Sequence, residues 1–195
     1  MNIGCLFGTF DPPHLGHVCI ACWMRDHIPF DRVWFVVTPD NPFKRDQHKS
    51  SAQDRTAMVR LAIEGLDNLE VCEEESRLPA PHFTVDSLAH FRKRWPEHRF
   101  SLIIGSASLL SFDKWKDAQG ILDRHAVIVY PRPGSLAADA TAVRDKHPNL
   151  RISDAPLMDV SSTAIRSALR TGDPVNNALN PIVLDYALQK RLYTD

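Results

Sequence analysis

Short runs of β-forming residues alternate with helix-length amphipathic segments along this chain, and that alternation restricts the fold more than any other feature. The β-type runs fall at 2–7, 33–37, 69–73, 100–104 and 126–130, with a short sixth at 150–152. Between and after them the pattern predicts helices at 15–26, 52–64, 84–95, 136–147, 162–170 and 181–190. Within 52–64, Ala57, Met58, Leu61 and Ala62 recur at helical spacing and predict one buried stripe. The runs 33–37 and 126–130 are almost wholly apolar, as strands covered on both faces must be. Repeated strand–helix–strand units require right-handed crossovers and a parallel sheet. The expected fold is a Rossmann-like α/β sandwich with helices on both faces of a parallel sheet, in one domain over residues 1–195. Sheets of this kind take ligands outside the carboxyl ends of their strands. Chemistry is therefore sought in the loops that follow strands.

Charge narrows the partners. Lys and Arg total 23 against 24 Asp and Glu, a net charge of −1. A surface that grips nucleic acid or membrane needs a basic excess, so neither is expected as a partner. A small anion needs only a few local cations and is not excluded. The opening 14 residues lack a basic segment, and their apolar stretch breaks at Gly8 and Asp11, so no signal peptide is expected. No apolar run has the length of a membrane span. Cys5, Cys19, Cys22 and Cys72 then read as reduced thiols in a cytoplasmic protein. Cys19 and Cys22 form a C-x-x-C inside an apolar stretch, where packing in a helix core is the plainer reading.

The first strand is followed by Gly8-Thr9-Phe10-Asp11-Pro12-Pro13-His14-Leu15-Gly16-His17 and then an apolar helix. Gly8 allows close approach of backbone to a ligand, and the prolines stiffen the turn. His14 and His17 share one face of the first helical turn. A helix N-terminus carries free N–H groups and partial positive charge, so two imidazoles beside it suit phosphate oxygens. A helix cap and a pair of zinc ligands are the competing readings, although no third metal ligand is evident. Near the other end, Ser161, Ser162 and Thr163 open a helix with Arg166 one turn in. Such hydroxyls cap a helix, and the guanidinium can grip phosphate in bidentate fashion. An ordinary Ser-capped helix explains the same residues.

The string GTFDPPHLGH resembles the first motif of the nucleotidyltransferase superfamily, and VSSTAIR resembles its second. The resemblance implies that His14 and His17 contact nucleotide phosphates and stabilise the transition state, with Gly8, Thr9 and Phe10 as a backbone cradle. It implies that Ser161, Ser162, Thr163 and Arg166 bind the ATP triphosphate. Three middle blocks are similar to those of bacterial nicotinate-mononucleotide adenylyltransferases. The P-x-N-P-x-K stretch of residues 39–44 would bring Lys44 near the site. The segment 77–88 would receive a nicotinate carboxylate on the backbone around Phe83 and Thr84. The segment 105–115 would place Gly105 and Ser106 at the nucleotide and stack Trp115 on the pyridine ring.

The implied reaction is adenylyl transfer from ATP to nicotinate mononucleotide, giving the deamido dinucleotide and pyrophosphate in NAD biosynthesis. The implied partners are these two substrates and Mg²⁺ carried with ATP without a protein cage, with a second copy of the chain as a further candidate. Asp11 is the candidate outer-sphere partner of that Mg²⁺. One departure stands out: Ala107 and Ser108 occupy positions where family members carry Asp and often Asn, the Asp binding a ribose hydroxyl. Replacement by Ser106 or Ser108, weakened activity, or a changed substrate preference are its three readings. Transfer to nicotinamide mononucleotide or another phosphate acceptor, and nucleotide binding without catalysis, are the competing functions.

Overall fold

The computed structural model describes residues 1–39, 50–134, 147–175 and 178–194. Strands β1 (Asn2–Gly8), β2 (Arg32–Val37), β3 (Leu69–Cys72), β4 (Arg99–Gly105), β5 (Val127–Tyr130) and β6 (Leu150–Ile152) form one sheet in the order β3-β2-β1-β4-β5-β6. Every neighbouring pair is parallel, with Leu6 opposite Phe35 on one side and Ile103 on the other. The helices are α1 (Leu15–His27), α2 (Ala52–Ala62), α3 (Thr84–Arg94), α4 (Ser106–Leu109), α5 (Ala118–Arg124), α6 (Ser162–Thr171) and α7 (Pro181–Gln189).

Alternation of side chains along the strands divides the core in two. Leu6, Val33, Phe35, Ile103 and Ile128 pack against Met24 of α1, Met58 and Val59 of α2, Ile165 of α6 and Val183 of α7. Ile3, Trp34, Val36, Leu102 and Val127 face the other way, onto Leu88 and Phe91 of α3 and Ile121 of α5. Each of these side chains, taken fully from water, contributes about 1.5–3 kcal/mol. The chain winds outward from β1 through β2 to β3, then returns to β4 on the opposite side of β1. At that reversal the loops after β1 and β4 leave toward opposite faces, and a crevice opens between them. The fold class is the one the alternation predicts.

Several local expectations change. The buried stripe of α2 comprises Arg55, Met58, Val59 and Ala62, while Ala57 and Leu61 are only half-buried. An arginine inside the stripe hid its true phase. Helix α5 was not predicted, because it is short and carries Gly120; an Asp117 side chain that accepts from the Gly120 N–H starts it. The helix expected at 136–147 lies outside the described residues, apart from His147. Cys22 packs on the core, whereas Cys19 is exposed, so helix-core packing accounts for only one of the pair. All four cysteines are free. Among the described residues no helix is long and apolar enough to cross a membrane.

Candidate active site

The loop after β1 is folded around Phe10. Its backbone takes a left-handed conformation (φ 50°), and its ring is buried beneath Gly8. A Cβ on Gly8 would stand 2.8 Å from that ring, so glycine is required here. The same ring meets His17 edge-on at 5.0 Å between centroids. Phe10 thus supports the cradle from below.

His14 and His17 cap α1 reciprocally. His14 Nδ1 accepts from the His17 N–H (3.3 Å), and His17 Nδ1 accepts from the His14 N–H (3.2 Å). This is a capping box built from imidazoles. Because each Nδ1 is an acceptor, the proton of each neutral ring sits on Nε2. The rings stack at 3.6 Å between centroids, so their Nε2–H donors are held side by side. The cap and phosphate readings are therefore compatible, one nitrogen serving each. The expected free N–H groups of α1 are largely absent, however: Leu15 donates to Ala178 O and His17 to His14. At this helix start the imidazoles carry the donor function instead.

Helix α6 is fastened directly to that loop. Ser161 caps it by accepting from the Ala164 N–H, while Ser162 Oγ donates to Pro12 O at 2.9 Å. Arg166 donates to Asp11 O at 2.7 Å, with Thr163 Oγ1 at 3.4 Å from the guanidinium. Among the described residues the N–H groups of Ser162 and Thr163 make no hydrogen bond. Asp11 lines the crevice, and its buried carboxylate accepts from Ser50 Oγ (2.5 Å) and Tyr193 OH (2.6 Å).

Two adjoining basins occupy the crevice. A polar basin of about 300 Å³ is lined by Thr9, His14, His17, Arg132, Ser162 and Arg166. An apolar one of about 320 Å³ is lined by Thr38, Phe83, Thr84 and Trp115. Gly8, Gly105, Ala107 and Ser108 border both. Trp115 follows a 3₁₀ turn, Phe112–Lys114, and leans on Phe112 at 5.1 Å. Phe83 is the N-cap of α3, and Thr84 is its first residue. Ser106 Oγ is committed to the Arg132 N–H at 2.8 Å and the residue is buried, so it joins two strand ends behind the wall. Lys44 lies outside the described residues.

Arg132 was missed by sequence reasoning, although the rule that loops after strands carry chemistry points straight to it. It follows β5, and Gly105 makes room: a Cβ there would be 2.9 Å from Arg132 Cγ. Arg55 was missed too. It is 1% exposed and donates to the carbonyls of Thr9 (2.7 Å), Thr38 (2.8 Å) and Pro39 (2.8 Å), tying the loops after β1 and β2 together.

His14 is 3% exposed, and burial, helped by the Arg132 charge, lowers its pKa from 6.5 to about 4. It is neutral at pH 7 and serves as a donor through Nε2 alone. The unfolded chain binds a proton that the folded chain refuses between these two values. Stability contributed by the neutral ring is thus complete above pH 6.5 and lost as pH falls toward 4, by up to about 3 kcal/mol. Urea unfolding across that window should show this slope, and His14→Asn should flatten it. Buried His125, its pKa also lowered, adds in the same direction.

A sequence model of the family described as Cytidylyltransferase-like matches residues 5–168. The chain is 37% identical over 194 residues to a probable nicotinate-nucleotide adenylyltransferase of Flavobacterium johnsoniae, with 99% of each chain covered. It is 37% identical over 187 residues to a protein of the same name from Bacteroides fragilis, covering 96% of this chain and 91% of that one. Among solved structures, a Plasmodium falciparum nicotinic acid mononucleotide adenylyltransferase complexed with NaAD shares the fold at a TM-score of 0.85. That match covers 98% of this chain and 97% of the other at 19% identity.

Proposed function

This chain belongs to the cytidylyltransferase-like family, among the nicotinate-nucleotide adenylyltransferases, and on that footing we propose that it transfers the adenylyl group of ATP to nicotinate mononucleotide. A phosphate oxygen of the mononucleotide bonds to the α-phosphorus of ATP as the bond from that phosphorus to pyrophosphate breaks. The products are nicotinate adenine dinucleotide, a precursor of NAD, and pyrophosphate. The attacking oxygen is already anionic, so no side chain has to act as nucleophile. Catalysis then consists of aligning two polyanions and stabilising charge on the α-phosphoryl oxygens.

The observation that carries this reading is the imidazole capping box on the wall of the polar basin. It fixes two neutral Nε2–H donors side by side. In this reading His14 and His17 hold the α-phosphoryl group. Arg166, Arg132 and the first N–H groups of α6 take the departing pyrophosphate, over Gly8 and Thr9. Trp115, Phe83 and Thr84 hold the pyridine ring in the apolar basin. Among the described residues no group of three or more His, Cys, Asp or Glu forms a metal site. Mg²⁺, carried with ATP, would supply further neutralisation of the phosphate charge, with Asp11 on the wall of the polar basin as its candidate outer-sphere partner. Four free thiols suit a reducing cytoplasm as the place of action.

The test is turnover of ATP with nicotinate mononucleotide, compared with nicotinamide mononucleotide and pantetheine phosphate. No dinucleotide from either pyridine nucleotide would overturn the proposal. Ala107 borders both basins, and its lack of a carboxylate bears on ribose binding. Ala107→Asp is expected to tighten KM for ATP by about tenfold, the effect of one charge-assisted hydrogen bond. An unchanged KM would show that Ser108 or the backbone already serves the ribose.

A further inference from the structure

Two polar atoms on residues lining the apolar basin are buried without a hydrogen-bond partner among the described residues: Glu75 Oε2 and His82 Nδ1. Glu75 is 1% exposed and sits on a 3₁₀ turn, Glu74–Arg77, packed beside α3. Ser87 of α3 donates to its Oε1, and the Thr38 hydroxyl at the end of β2 lies beside the same carboxyl. Its second oxygen faces no donor. His82 bonds through Nε2 to Leu78 O at 3.2 Å, so Nε2 carries the ring proton and Nδ1 presents a bare lone pair. A buried carboxylate oxygen without a donor is costly, whereas the protonated carboxyl turns that oxygen into a donor.

The basin's other polar side chains, among them Thr38, Thr84, Ser108 and Lys116, each carry a donor. Thr84 and Val85 begin α3, and their N–H groups make no hydrogen bond among the described residues. Resting on the nicotinate reading above, we propose that Glu75, tuned by His82, sets the choice between the acid and the amide forms of the acceptor's pyridine ring. Protonated, Glu75 adds a donor to a basin of donors and favours a carboxylate, which only accepts. Ionised, it repels that carboxylate and accepts from the amino group of a carboxamide. Burial raises its pKa, against the smaller opposing pull of Ser87, Thr38 and His82.

Other titratable groups nearby are accounted for. Glu74 is paired with Arg77 and His90, Glu73 with Arg60, and Asp86 with Lys116. The Cys72 thiol is held neutral by burial, as is the Tyr130 phenol. His82 is left as the titratable neighbour that acts on Glu75.

The experiment measures kcat/KM for nicotinate and nicotinamide mononucleotides on the same enzyme from about pH 5 to about pH 9, upward from the ordinary carboxyl range. Taking the ratio cancels titrations common to both reactions, including the substrate phosphate and the histidines. The acid-to-amide ratio should fall at least about tenfold as pH rises, the loss of one charge-assisted hydrogen bond. In Glu75→Gln, which keeps a neutral donor, it should stay high and flat. In His82→Ala the fall should move to higher pH, because the pull of His82 that favours the ionised carboxyl is removed. A flat wild-type ratio, or a Glu75→Gln profile that follows wild type, overturns the proposal. Should Glu75→Gln fail to fold, the wild-type and His82→Ala profiles decide alone. No turnover with either acceptor would instead defeat the nicotinate reading itself.

Discussion

Replacing His17 with alanine is expected to lower kcat at least about 100-fold, the usual cost of one preorganised donor at a developing oxyanion. His17 Nδ1 is spent on the His14 N–H, which leaves Nε2–H as its one donor. Phe10 below and His14 alongside fix the ring, so the donor needs no reorganisation as charge grows. The same substitution also uncaps α1, at about 0.5–2 kcal/mol of stability. His17→Gln separates the two effects. Glutamine at the third helical position can still accept from the cap N–H, so stability should largely return. Turnover should not, because the donor has moved. A loss of kcat below tenfold in His17→Ala would remove His17 from transition-state stabilisation.

The second large effect concerns stability. Arg55→Met is expected to cost about 3–5 kcal/mol in urea unfolding, a large part of a typical domain's total. Methionine fills much of the same volume, but three loop carbonyls lose their donor at once. The buried Asp11 carboxylate also loses the neighbouring positive charge. Both the loop that carries the histidines and the end of β2 depend on this guanidinium. Turnover should therefore fall with stability, and Arg55→Lys should recover only part of each, since an ammonium cannot reproduce the planar fork. A destabilisation under about 1 kcal/mol would mean that water replaces the guanidinium and that the loops are held by other contacts.

The fold was legible because burial on both faces leaves a periodic trace in sequence. Apolar runs such as 33–37 and 126–130 mark strands that nothing but a covered sheet can use. The phase of α2 was not legible, since Arg55 reads as a solvated position until its carbonyl partners on two other loops are known. The partners of Asp11 were illegible for the same reason: Ser50 and Tyr193 are 39 and 182 residues away. Glu75 carried no local pattern at all, and Arg132 only its place in a loop after a strand.

By itself the sequence determined the alternation of elements, the parallel sheet and the two loops rich in histidine, serine and arginine. These depend on local spacing and on which residues must avoid water, both of which are written along the chain. Only the tertiary structure decided which nitrogen of each histidine caps the helix, and what the buried Asp11 carboxylate is bonded to. It alone showed that a buried arginine ties the loops after β1 and β2 together and that a buried carboxyl lines the apolar basin. Those outcomes depend on partners brought together from distant segments, and a side chain's donor, charge or proton is set by its partners.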